Sequence, residues 1–144
     1  MTNATGPLTN SAANLIGFEK ISTLPDLRSG LSNTTLAFLN SFPADMPEIE
    51  VLPLPSTVDS VTTQDNYWES SVALMTTSSR GTVTLQSDDM SDSPIVNPAW
   101  LTTREDQELA VAALKRARQF GNAIASISTE EFTPGVSVQS DAQV

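Results

Sequence analysis

The sequence predicts an α+β fold, an antiparallel or mixed sheet with helices, and three stretches carry that prediction. Residues 48–55, Glu-Ile-Glu-Val-Leu-Pro-Leu-Pro, alternate weakly and read as a strand with Ile49 and Val51 on one side. Residues 71–77 and 82–85 are β-rich runs on either side of Ser78-Ser-Arg-Gly81, and they read as a hairpin. Residues 102 to about 121 carry apolar side chains at helical spacing and read as one amphipathic helix.

The remaining elements follow in chain order. Residues 1–14 are small and polar, with Gly6 and Pro7, and read as an extended arm. Leu15-Ile-Gly-Phe18 is a short apolar run and a strand candidate. Between residues 25 and 39, Leu27, Leu31 and Leu36 make a helical stripe that Gly30 and nearby Ser, Asn and Thr interrupt. Pro43 and Pro47 stop any helix before them. Pro53 and Pro55 confine the end of their strand to a sheet edge or exit. Residues 56–66 are a polar loop.

In the expected hairpin, Gly81 supplies the positive φ of a bulged turn. Val83 and Leu85 share one face there, Thr82 and Thr84 the other. Residues 87–94 form a loop, and Asn97-Pro98 opens a turn that holds Trp100. Thr102 and Glu105 have the spacing of a capping box for the long helix. Glu105, Asp106 and Glu108 crowd its first turns, and Lys115, Arg116 and Arg118 its last. Each such charge complements the helix dipole by ~0.3–1 kcal/mol. Leu109, Ala113, Ala117 and Phe120, flanked by Ala110 and Leu114, form the stripe that packs on a sheet. The organisation expected is an arm at 1–14, one domain at 15–127 and a flexible segment at 128–144.

Composition narrows the function classes. A length of 144 residues suits one domain, but 39% apolar content and nine prolines predict a thin core with much loop. A net charge of −10 argues against nucleic acid and against anionic membrane surfaces. The chain has no cysteine, which excludes disulfides, thiolate catalysis and Cys-based zinc sites. It has no histidine, which removes the commonest general base and metal ligand. No apolar run approaches the ~20 residues that span a bilayer. The first residues lack a basic and apolar secretory pattern, so the default expectation is cytoplasmic.

Few side chains stand out as functional. Arg80 is an anion-contact candidate, but a turn arginine packed on the hairpin is the favoured reading. Asp88, Asp89 and Asp92 lack the glycine and late glutamate of a calcium loop, so a solvated acidic loop is favoured and no metal is expected. Tyr67 and Trp68 have rings that can stack on an aromatic substrate, against a favoured packing role. Lys20 and Lys115 are not placed to activate a Ser or Thr nucleophile. Asn3 and Asn33 begin glycosylation sequons that matter only in a secreted chain.

Three segments in order resemble one family. Ser79-Arg-Gly-Thr-Val-Thr-Leu85, Ser93-Pro-Ile-Val-Asn-Pro98 with Trp100-Leu101, and the helix end Ala113-Leu-Lys-Arg-Ala-Arg118 are similar to the C-terminal region of glucose–methanol–choline (GMC) oxidoreductases. Residues 6–9, 16–20 and 42–50 resemble the fungal branch that contains versicolorin B synthase. The resemblance implies part of a substrate-binding domain, with helices packed on one face of the sheet. It implies FAD as the family's cofactor and a small aromatic or polyketide substrate. It also implies that residues 72–77 border the substrate pocket, where Ala73 and Met75 share a face, with core packing an equal reading.

The departures from the family are specific. Glycines at 6, 17, 30, 81, 121 and 135 are too far apart for the dinucleotide fingerprint. The family's catalytic histidine has no counterpart. No catalytic or cofactor-binding residue is therefore expected, and no FAD on this chain alone. The expectation is a fragment of an FAD-dependent oxidoreductase, inactive alone and of low stability, with a partner half of a split flavoenzyme as one setting. The alternatives are a stand-alone, non-redox binding or cyclisation module of a polyketide pathway and a structural or interaction module.

Overall fold

Apolar residues two apart on a strand share a side, and Ile49 and Val51 use that geometry to nucleate the core. A computed structural model describes residues 15–54, 67–126 and 130–143. β2 (Ile49–Leu54) is the centre of an antiparallel sheet, between β1 (Gly17–Glu19) and β3 (Glu69–Leu74). Ile49 lies opposite Leu74 and Val51 opposite Val72, so these four side chains share one face. Three helices complete the core: α1 (Pro25–Arg28), α2 (Asn33–Leu39) and α3 (Arg104–Ala123). Leu27, Leu31, Leu39, Leu109, Ala112 and Ala113 are buried with Ile21, Ile49 and Val51 in one cluster. α3 packs on β3, and α1 and α2 pack on α3. The architecture is α+β with the helices on one face of the sheet. None of the described helices is long and apolar enough to cross a membrane.

Local chemistry explains these boundaries. Pro25 opens α1 at its first position, where a missing N–H costs nothing. Ser32 caps α2 by accepting the N–H of Thr35. Pro53 lies past the end of β1, whose partners in β2 stop at Val51, so it occupies a stretch with a single neighbour.

The expected hairpin does not form. Residues 71–74 belong to β3 and pair with β2, while β4 (Thr82–Thr84) pairs with β5 (Ile95–Asn97) in a separate ribbon. Pairing with β2 places Val72 and Leu74 over the core, which proximity in sequence does not provide. The Ser78 and Ser79 N–H groups, which a turn would direct elsewhere, donate to the Asp106 carboxylate at 2.7 and 2.9 Å.

Gly81 is needed for a different reason than the one expected. Among the described residues, Gly135 is the glycine with positive φ; at Gly81, a Cβ would strike the Asn97 carbonyl and come within 2.7 Å of the Pro98 oxygen. Gly81→Ala is expected to break the β4–β5 pairing at a cost of about 1–3 kcal/mol. Hydrogen exchange checks this: amide protection at Val83 and Val96 should fall, and that of Val51 should not.

The long helix starts one residue later than its sequence signature. Thr103 is the N-cap and accepts the Asp106 N–H, whereas the Thr102 hydroxyl donates to Ala99 O at 3.1 Å. The box fails at Glu105 because Asp106, not Glu105, faces inward and is fully buried. The helix also runs on to Ala123, so its last turn holds no basic residue. Lys115, Arg116 and Arg118 instead pair with Asp141, Glu19 and Glu131. The arm at 1–14, the loop at 56–66, the Asn3 sequon and Ile127 lie outside the described residues.

Three carboxylates tie the elements together. Glu48 is 1% exposed and accepts from both the N–H and the hydroxyl of Ser22. Asp106 holds the segment after β3 against the start of α3. Glu108 accepts from the Ser32 N–H at 2.7 Å and the Thr35 hydroxyl at 2.6 Å, joining α2 to α3. Burial pushes the Glu108 carboxyl up, but donation from Thr35, Ser32 and Arg104 outweighs it and lowers the pKa to about 2. Burial likewise opposes ionisation of Asp106, and the Ser79 and Ser78 donors hold its pKa below the usual value.

Candidate functional site

With the core helices on one side, the opposite face of the sheet has no cover among the described residues. Pairing places Phe18 opposite Glu50 and Glu50 opposite Ala73, so these three form a row across the strands. Met75 continues the side of Ala73, and its N–H donates to Glu48 O at 2.9 Å. Ala73 is exposed and Met75 is 40% exposed. The row offers an aromatic ring, a carboxylate, a methyl group and a flexible thioether. Such a surface packs and orients an apolar, partly aromatic molecule and supplies no proton relay.

The structure separates the four sequence candidates into two pairs. Ala73 and Met75 are on the bare face. Tyr67 and Trp68 line a groove of about 590 Å³ with Leu114 and Gly121 of α3 and with Phe132 and Val136. The Tyr67 and Phe132 rings meet edge to face, with centroids 5.2 Å apart. Trp68 lies against α3, where a Cβ on Gly121 would be 3.7 Å from its ring. Arg118 closes one wall, donating to both Glu131 oxygens and to Val138 O. Two buried polar atoms by the groove, Glu69 Oε2 and Ser70 Oγ, have no hydrogen-bond partner among the described residues.

Sequence reasoning missed Phe18 and Glu50 on the bare face and Phe132 and Val136 in the groove. The signal for Glu50 was present: it alternates with Ile49 and Val51 and so points away from the core. Nothing local marks Phe132, whose partner Tyr67 is remote in sequence. Arg80 donates to Thr77 O and Ser79 O in its own turn and is exposed. The acidic loop bonds within itself: Ser87 donates to Asp92, and Ser91 donates to Asp89. Those Ser91 bonds lower the Asp89 pKa.

Among the described residues, the start of the long helix does not fit the pyrophosphate of a flavin dinucleotide. Such a group requires backbone N–H groups at a glycine-lined helix start. The long helix α3 begins instead with Thr103 and carries the carboxylates Glu105 and Asp106 in its first turn, which repel phosphate. No chemical step through a flavin is therefore assigned to these residues.

Fold and site together define a sheet backed by helices on one face, with the other face uncovered among the described residues. Comparison with known proteins supplies the family. Residues 77–144 match the profile described as GMC oxidoreductase. The chain is 40% identical over 146 residues to a glucose methanol choline oxidoreductase of Aspergillus terreus, covering 100% of this chain and 23% of that protein. It is 39% identical over 152 residues to a patulin synthase of Aspergillus clavatus, covering 98% and 24%. It is 37% identical over 146 residues to a versicolorin B synthase of Aspergillus parasiticus, covering 96% and 22%. The chain belongs to the GMC oxidoreductase family, in its C-terminal region, and spans about a quarter of the length of the curated relatives it matches.

Proposed function

We propose that this chain is the substrate-side segment of an FAD-dependent GMC oxidoreductase that acts on a small aromatic or polyketide-type alcohol. The bare face supports this reading most directly. Phe18, Glu50, Ala73 and Met75 form an open, mainly apolar wall on a sheet that is closed on its other side. Such a wall orients a substrate and excludes water, while the flavin and the proton acceptor come from other polypeptide. The names of two relatives, a patulin synthase and a versicolorin B synthase of Aspergillus species, support a fungal biosynthetic setting.

The test is a chimaera in which this chain replaces the matching segment of the Aspergillus clavatus patulin synthase. The chimaera is expected to hold flavin and to oxidise an aromatic alcohol. Ala73→Trp should raise KM by about tenfold or more, because the ring occupies the wall, while leaving the melting of the isolated chain unchanged. An unchanged KM would remove the wall from the substrate pocket. Retention of a polyketide by the isolated chain, with no redox step in the chimaera, would favour a non-redox module.

A further inference from the structure

We infer that Glu50 is the specificity-determining residue of the open wall: it selects aromatic alcohols that carry a second hydrogen-bond donor, a phenolic hydroxyl, and turns away aromatic anions; this rests on the function proposed above. Glu50 lies on β2, the middle strand, with Phe18 of β1 on one side and Ala73 of β3 on the other. Directly paired side chains on one face are about 5 Å apart. The carboxylate therefore stands beside a ring and a methyl group, with the half-buried Leu52 two residues along its own strand. Glutamate is a poor strand former, and a charged group in the middle of an apolar face is the kind of local conflict that marks a functional position.

No cation of this chain neutralises it. All seven basic residues are engaged elsewhere, four in ion pairs with other carboxylates and three with backbone carbonyls. Lys20, which follows β1, donates to Pro43 O and Ala44 O. The nearby carboxylates are occupied as well, Glu19 by Arg116 and Glu48 by Ser22. Glu50 is half-buried and has no hydrogen bond or ion pair among the described residues.

The chemistry of the group chooses the ligand. An ionised carboxylate accepts hydrogen bonds and donates none. Bonds to it are stronger than neutral ones, and a second negative charge beside it is repelled. A substrate ring can rest against Phe18 and Ala73 with its hydroxyl directed at Glu50. An ether in place of that hydroxyl has no proton to give, and a carboxylate brings a like charge. A site made to bond a hydroxyl is left unpaired by an analogue that lacks it, and that loss is the source of selection. Met75, flexible and 40% exposed, adapts to ring substituents without choosing among them.

The test measures kcat and KM of the patulin synthase chimaera for para-hydroxybenzyl alcohol, its methyl ether and its para-carboxylate analogue. The parent should favour the phenol over the ether by about tenfold or more in kcat/KM, chiefly through KM. Glu50→Leu should bring that ratio close to one. Glu50→Gln keeps the shape and an acceptor but drops the charge. It should keep part of the phenol preference and lower the KM for the carboxylate by about threefold or more, and it serves alone if the leucine variant does not fold. A parent ratio near one, or a ratio that survives in Glu50→Leu, would overturn the proposal. So would a carboxylate KM that Glu50→Gln leaves unchanged, or an equal fall in kcat for all three alcohols with the ratios intact, which would mark a structural role. A chimaera that oxidises none of the three defeats the oxidoreductase reading instead. The dissociation constants of the same compounds, measured on it by calorimetry, then make the same comparison for Glu50, and no binding at all would overturn its role.

Discussion

Glu48→Ala is expected to lower the unfolding free energy by about 3–5 kcal/mol, enough to leave much of the isolated chain unfolded at 25 °C. The carboxylate is buried and accepts two hydrogen bonds from Ser22, one from the backbone and one from the hydroxyl. Bonds to a charged acceptor are worth about 1.5–3 kcal/mol each, and truncation strands both donors in the interior. The position is also a junction of main chains: Glu48 N–H donates to Glu19 O, and Glu48 O accepts from Met75 N–H. Glu48 thus sits where β1 and β3 both meet the start of β2. Glu48→Gln keeps the shape and one acceptor, so it should retain part of the stability. Urea denaturation followed by tryptophan fluorescence checks the order parent, Gln, Ala. A loss below about 1 kcal/mol for alanine would show that Glu48 is not a clamp.

Acid is expected to unfold the chain through Glu108 more than through any exposed carboxylate. Its folded pKa is about 2 against an ordinary 4.5. A depressed folded pKa gives stability that is fully present above the unfolded value and is lost as pH falls through the folded value. The window is therefore from about pH 4.5 down to about pH 2, and the contribution is about 3 kcal/mol. Asp106, also shifted down, loses its contribution in the same direction. Glu108→Gln should lower stability at pH 7 and flatten its pH dependence across that window. A parent-like acid slope in the variant would assign the lability to other groups.

The sequence made the long helix and the central strand legible because both bury a periodic apolar face. Leu109 and Ala113 are buried as their spacing requires, and Ile49 and Val51 share a buried side. Partner choice was not legible. Residues 71–74 and 82–85 are close in sequence and both β-rich, yet the core selects β2 for the first and β5 for the second. The carboxylate clamps were hidden for a related reason. Glu48, Asp106 and Glu108 look like surface residues until Ser22, Ser78, Ser79 and Thr35 are brought to them in space. Of the site candidates, Ala73 and Met75 fall on one face by simple alternation, whereas Tyr67 and Trp68 belong to a separate groove on the helix side.

The absorption spectrum of the purified chain, recorded with an alcohol and an electron acceptor present, bears most directly on the account. A wall without a phosphate cradle or an imidazole should give a colourless protein that oxidises nothing. A yellow protein that holds flavin and turns over the alcohol unaided would contradict it.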